Sequence, residues 1–304
     1  MAKAYASIII DAPVEAVWLM VRDFNGLPNW VPGVAASSIE GGRDADSVGC
    51  VRSLSLADGG HCTERLLLLD DSRYRLSYAF VIPAFPITDY RATLELIPVT
   101  SGNRTFVQWS GSFNESPEDA GKWEAVISEQ VFAGGLANLA AKCAGASARA
   151  GAVRWDGWRP AKVFCSSVVN GPIAAVWDRM RDFIGMGAWH PDIAGMKMTG
   201  GVRSDKISGV RDFMFGDGRI TERLTYLNDA DYAFRYTIEQ SPKAWLNYHS
   251  GVQLYPVSAG NRTFGVWTAD WTASANDDVA LIPDIHNNVF QKAFDTLNER
   301  FFAG

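Results

Sequence analysis

The sequence predicts an α+β protein of two tandem domains, each a seven-stranded antiparallel sheet wrapped around a long C-terminal helix, with two short helices after strand one. Three observations carry this expectation. The chain repeats itself at an offset near 159 residues. Its middle segments alternate apolar and polar residues with period two. Each half closes on a segment whose apolar residues recur at helical spacing.

The repeat comes first. Residues 12–34, APVEAVWLMVRDFNGLPNWVPGV, align without a gap on residues 171–193, GPIAAVWDRMRDFIGMGAWHPDI, with ten identities in 23 positions and an offset of 159 (Pro13 to Pro172). TERL at 63–66 returns at 221–224, and GNRTF at 102–106 returns at 260–264, both at an offset of 158 (Thr63 to Thr221). One residue is therefore lost in a hairpin between them. The expected division is a first domain at 1–143, a linker at 144–161 and a second domain at 162–304. The linker begins with small Ala, Gly and Ser residues and ends in the aromatic run RWDGWRP.

Each half opens on a short strand, 5–10 and 163–169. Pro13 and Pro172 are expected in the first helical turn, where a missing N–H is harmless. Val17, Met20, Val21 and Phe24 follow at helical spacing, and a Trp-x-Pro element marks a second short helix or turn. Strands with period-two alternation come next. Arg52, Leu54 and Leu56 share a face, as do Arg211, Phe213 and Phe215. Glu222, Leu224 and Tyr226 line up, and so do Tyr74, Leu76, Tyr78 and Phe80 with their counterparts Tyr232, Phe234, Tyr236 and Ile238. The sixth strand offers Tyr90 and Tyr248, the seventh Trp109 and Trp267. An apolar, aromatic face opposite a mixed polar one is the signature of an antiparallel sheet with one buried side. The closing helices are expected near 117–142 and 278–302. Pro283 is expected to begin or bend the second, and Gly134–Gly135 to kink the first.

Composition narrows the function classes. With 304 residues, 47% hydrophobic and 20% charged, two cores of ordinary size can form without metals or disulfides. The net charge of -6 and the lack of a basic run argue against nucleic acid as a partner. The short apolar stretch in MAKAYASIIIDAP lacks the length and cleavage site of a signal peptide, and no run is long enough for a membrane span. The expected location is the cytoplasm. The sequons at Asn103 and Asn261 then read as turn residues, and Cys50, Cys62, Cys143 and Cys165 as incidental thiols. No glycine-rich phosphate loop, zinc-protease helix or nucleophile elbow is present, so neither metal nor cofactor is expected.

The elements RDFNGLPNWVPGV, RSLSLADGGHCTERLLLLDD, ITDYRATLELIPV and RDFIGMGAWHPDI resemble the bacterial polyketide cyclase/dehydrase branch of the SRPBCC superfamily, which includes START lipid-binding domains and birch-pollen-allergen-like proteins. The resemblance covers most of the chain, taken twice. It implies the helix-grip fold, with a cavity enclosed between sheet and long helix. Members bind lipids, hormones or polyketides, and some catalyse cyclisation, aromatisation, condensation or dehydration. The family's Trp-His-Pro element is intact only in the second half, as Trp189, His190 and Pro191; the first half reads Trp30, Val31, Pro32.

The candidate site residues follow from faces and chemistry. Arg52 with Glu64, and Arg211 with Glu222, fall opposite each other across a hairpin on the apolar face. A lone charge there would be costly, so each pair is either an internal salt bridge or a polar anchor for a ligand. Tyr78, Tyr90, Tyr226, Tyr236 and Tyr248 point inward by periodicity, as core aromatics or as hydrogen-bond donors to a ligand. Trp109, Trp189 and Trp267 belong with them as ligand-facing aromatics. His190 can move a proton near neutral pH or simply pack, and His286 lies at the edge of the inward helix stripe. The expected catalytic set is His190, Tyr248, Glu222 and Arg211; the others are expected to bind. The function these residues point to is a cofactor-independent enzyme of cyclase, aromatase, dehydratase or lyase type, acting on an aromatic or polyketide-like molecule. A non-catalytic carrier or sensor and a purely structural pair of domains stand beside it. The expected partner is a hydrophobic or aromatic small molecule, and the sequence leaves a homodimer open.

Overall fold

A computed structural model describes residues 1–147 and 161–303, which fall into two compact units, one in each half of the chain. Residues 148–160 of the expected linker, the RWDGWRP run among them, lie outside the described residues. In the first unit, β1 (Ala2–Ile10), β2 (Val34–Ile39), β3 (Val51–Leu56), β4 (His61–Asp70), β5 (Arg75–Ile82), β6 (Ile87–Val99) and β7 (Arg104–Glu115) form one antiparallel sheet in the order β1-β7-β6-β5-β4-β3-β2. The second unit repeats that order with β8 (Val163–Val169), β9 (Ile193–Met198), β10 (Val210–Phe215), β11 (Gly218–Asn228), β12 (Ala233–Gln240), β13 (Leu246–Val257) and β14 (Arg262–Thr272), as β8-β14-β13-β12-β11-β10-β9. β1 and β8 each pair with the last strand of their own unit, so the chain crosses the whole sheet between strands one and two. That crossing carries a helix, Val14–Val21 or Ile173–Met180, and a short second turn, Leu27–Asn29 or Met186–Trp189.

The repeated words are the joints of this frame. In RDF, Arg22 binds both carboxylate oxygens of Asp71, which also accepts from the Trp18 indole at 2.8 Å. Arg181, Trp177 and Asp229 repeat that clamp. In GNRTF, the buried Thr105 hydroxyl donates to the Ala12 carbonyl at 2.7 Å, and Thr263 does the same to Gly171 at 2.8 Å. Asn103 and Asn261 adopt φ of 51° and 49°, the left-handed turn conformation asparagine tolerates. Pro13 and Pro172 stand one step earlier than expected, at the N-cap, where an extended ψ suits proline.

The long helices depart from the sequence expectation in one shared respect. Each runs as α, then a wider π segment (Val126–Ala133; Ile285–Gln291), then α again (Gly134–Cys143; Lys292–Phe301). Pro283 sits inside Ala275–Asp284 rather than at its start, and the helix opens at Ser274, whose side chain accepts from the Asp277 N–H. The first domain has Ala125 at the corresponding position and the same π segment, so proline is not its cause. Gly135 serves close approach: a Cβ there would lie 3.0 Å from the Trp109 ring and 3.7 Å from Trp30. Among the described residues, no helix is long and apolar enough to cross a membrane.

Candidate functional site

The concave face of each sheet and the π segment above it enclose the interior. In both domains the floor is the same. Arg52 and Glu64 are direct partners across β3 and β4, and Arg211 and Glu222 across β10 and β11. All four are about 95% buried. Arg52 Nε and Nη2 both reach Glu64 Oε2, at 2.7 and 2.6 Å, and Nη1 donates to the Phe24 carbonyl. Its guanidinium lies 4.0 Å over the Phe24 ring. Arg211 repeats every contact, with Glu222 Oε2, the Phe183 carbonyl and the Phe183 ring. Burial pushes both carboxyls up from their usual range, against the pull of the arginine beside them.

Next to the pair stands an aromatic ladder. The Trp109 indole donates to Tyr78 Oη at 3.1 Å, and Tyr78 and Tyr90 are hydrogen-bonded to each other. Burial drives both phenols above their ordinary pKa, so they remain neutral donors. Trp109 stacks on Phe132 of the π segment at 4.5 Å, and Trp267 on Phe290 at 4.6 Å. In the second domain the Trp267 indole also donates to Ser250, where the first domain has Ala92.

Here the domains part. The first encloses a cavity of about 530 Å³, in the range of small-molecule sites. The equivalent space in the second is about 40 Å³, far below the size of a small-molecule site. The sequence alignment explains the loss. Leu54 and Leu56 become Phe213 and Phe215, Cys62 becomes Ile220, Leu27 becomes Met186, and Ile87 becomes Trp245. Trp245 packs at 4.8 Å from Tyr248 and 5.5 Å from Trp271, filling what remains. The mouth differs too. Gly33 and Gly134 line the first cavity, where the second domain carries the Asp192–Lys292 ion pair at 2.6 Å. Phe85 and Val126, also at that mouth, are replaced by the Lys243–Asp284 pair at 2.5 Å.

The expected site residues divide accordingly. Glu64, Tyr78, Tyr90 and Trp109 line the open cavity together, while Arg52 is held behind Glu64 and does not line it. Arg211, Glu222, Tyr236, Tyr248 and Trp267 converge in the same way, but on the filled space. His190 does not line it. The ring is 3% exposed, lies 5.6 Å from Phe215, and accepts from the Asp192 N–H through Nδ1. Its Nε2 faces the Val289 carbonyl without reaching hydrogen-bond geometry. Burial lowers its pKa from the ordinary histidine value.

Three expected inward positions are corrected. Tyr226 follows a β-bulge between Leu224 and Tyr226 that reverses the alternation; it is half-buried, accepts from Asn228 and lies under Arg235. His286 bonds its neighbour Asn287 through Nδ1 and does not reach the filled space. Trp189 packs in the core with Nε1 unpartnered and lines no part of it. Sequence reasoning also set Cys62 aside, yet it lines the open cavity, its thiol pushed up to about 12 by burial. Comparing the two halves at aligned inward positions is the signal that separates the hollow domain from the filled one.

Fold and site together define a two-domain helix-grip protein with a hollow first domain. The chain belongs to the family described as polyketide cyclase / dehydrase and lipid transport, whose model matches residues 1–144 and again 160–301. A solution structure from Thermobifida fusca is 37% identical over 47% of this chain and 93% of its own, with a TM-score of 0.43. The XoxI protein of Bacillus cereus is 29% identical over 48% of this chain and 97% of its own, also with a TM-score of 0.43. The di-domain ARO/CYC BexL of the BE-7585A biosynthetic pathway spans this whole chain and its own at 13% identity and a TM-score of 0.37. Among the described residues, no three of His, Cys, Asp and Glu come close enough to hold a metal ion.

Proposed function

We propose that the first domain, residues 1–143, is the working half and takes up one apolar, ring-bearing small molecule per chain. The second domain, 162–304, is a filled scaffold of the same design. The difference between a cavity of about 530 Å³ and a space of about 40 Å³ carries this reading. A site that is apolar with a few convergent polar groups is how small-ligand sites are built, and Glu64, Tyr78 and Tyr90 are those groups. In this reading Arg211, Glu222, Tyr248 and His190 hold the second domain together rather than act on a substrate.

One observation favours cofactor-independent catalysis in the same cavity. Arg52 engages only Oε2 of Glu64, and burial raises the Glu64 carboxyl, so Oε1 is placed to exchange a proton with a bound molecule. A carboxyl and a phenol converging on an apolar cavity suit cyclisation or dehydration.

The test transplants the filling of the second domain into the first. Leu54→Phe with Leu56→Phe is expected to abolish uptake of a neutral aromatic probe such as 2-naphthol, while wild type binds it one to one by calorimetry. Two equivalents in wild type, or unchanged binding in the double variant, would sink the assignment. Recovery of co-purified ligand by denaturing release then separates holding from turnover: an unaltered ligand speaks for carriage, a converted one for catalysis.

A further inference from the structure

The charges around the open cavity say what it selects. Among the described residues, two charged side chains line it, Asp58 at the exposed β3–β4 hairpin and the buried Glu64, and no Lys, Arg or His does. Among the described residues the cation beside it, Arg52, is fully engaged. Two of its nitrogens hold Glu64 Oε2, a third holds the Phe24 carbonyl, and its plane is fixed between the Phe24 and Tyr78 rings. It cannot turn to a ligand anion without uncovering Glu64, which is costly in a buried place.

The polar end is instead equipped for a hydroxyl. Glu64 lines the cavity, and its Oε1, to which Arg52 makes no hydrogen bond, is an acceptor. Tyr78 Oη accepts from the Trp109 indole and is the acceptor in its bond with Tyr90, so its own proton is the part left to give. A ligand hydroxyl is donor and acceptor at once and answers both. A ligand carboxylate would be desolvated against the Glu64 carboxyl, whose one partner Arg52 is already spent on it, with no second cation among the described lining residues to take the new charge.

Resting on the assignment of the first domain as the ligand site, we propose that its cavity selects uncharged, hydroxyl-bearing aromatic molecules, phenols or enols, and turns away carboxylates and phosphates. The hydroxyl donates to Glu64 and accepts from Tyr78, and the ring lies along Trp109 and Phe80.

Three matched probes test this on the intact wild-type chain, so no variant has to fold: 2-naphthol, 2-methoxynaphthalene and 2-naphthoate, measured by calorimetry at pH 7.5. Naphthol is expected to bind at least about tenfold tighter than the methyl ether, which lacks the donor, and tighter still than the acid. Tyr78→Phe is expected to narrow the naphthol advantage several-fold with the thermal midpoint little changed. If naphthoate matches naphthol, or if the methyl ether does, the selection proposed here is wrong although the cavity still binds. If none of the three binds, the assignment of the first domain as the ligand site fails, and this inference with it.

Discussion

Where β3 carries Leu54 and Leu56 into a hollow interior, β10 carries Phe213 and Phe215 into a filled one, on backbones that pair in the same strand order. Everything around those positions is shared: the Arg–Glu pair, the tyrosine beside it, the tryptophan stacked under the π segment, and the arginine–aspartate clamp. The shared parts are therefore what the fold needs. Size at a few inward positions decides whether there is a cavity. Interiors are packed to near crystal density, so a benzyl group in place of an isobutyl group removes space that nothing else returns.

The largest expected effect tests what the domains share. Arg52→Met and Arg211→Met each strand a buried carboxylate and are expected to destabilise their own domain by about 3 to 5 kcal/mol. The cost should fall at the upper end for Arg211→Met, because Glu222 faces only about 40 Å³, and lower for Arg52→Met, because water in the open cavity can solvate Glu64. Hydrogen exchange resolved to β3–β4 and β10–β11 reads the two domains apart in the full chain. Equal losses would mean that the open cavity is dry at its polar end.

A smaller effect tests what only the second domain has. His190 stands where the first domain has Val31. Its folded pKa is depressed by burial, which outweighs the favourable Val289 carbonyl and Asp192, while Lys292 acts in the same direction as burial. A depressed histidine contributes stability that is present above its unfolded pKa of about 6.5 and is lost as pH falls through the lower folded value. Wild type should therefore weaken below about pH 6.5 by up to about 1.4 kcal/mol per pH unit, and His190→Val should not. Urea unfolding of both proteins at pH 7.5 and 5.5 decides it: a parallel fall would show that His190 protonates as readily folded as unfolded.

Much of this was legible in the sequence, and the misses have physical reasons. The repeat, the alternating strands and the facing Arg–Glu pairs follow from periodicity and hairpin counting, which are local. Tyr226 departs from its alternation because a bulge inserts one residue and reverses the faces after it, and nothing in TERLTYLN announces it. The π segments were invisible because their apolar spacing differs little from an α turn over so short a run. The filling of the second domain was readable in part, since Phe213, Phe215 and Trp271 are bulky. Whether bulky residues fill a cavity or line it depends on distances across the domain that no single strand encodes. His190, which completes the Trp-His-Pro element missing from the first half, belongs to the filled half.

The smallest expected effect separates the plug from the latch. The second domain is closed twice over, by the aromatic filling and by the Asp192–Lys292 and Lys243–Asp284 pairs across the positions that form the mouth of the first domain. These ion pairs are partly exposed, Lys292 by 42% and Asp192 by 32%, so removing one with Asp192→Ala and Lys292→Ala is expected to cost less than about 1 kcal/mol. It should also leave the stoichiometry of 2-naphthol at one per chain, because opening a mouth creates no volume behind it. Phe213→Leu with Phe215→Leu should instead destabilise the domain by about 1 to 3 kcal/mol and create space. Only when both changes are combined should a second molecule bind. A second equivalent in the latch variant alone would show that the ion pairs, and not the phenylalanines, keep that domain shut.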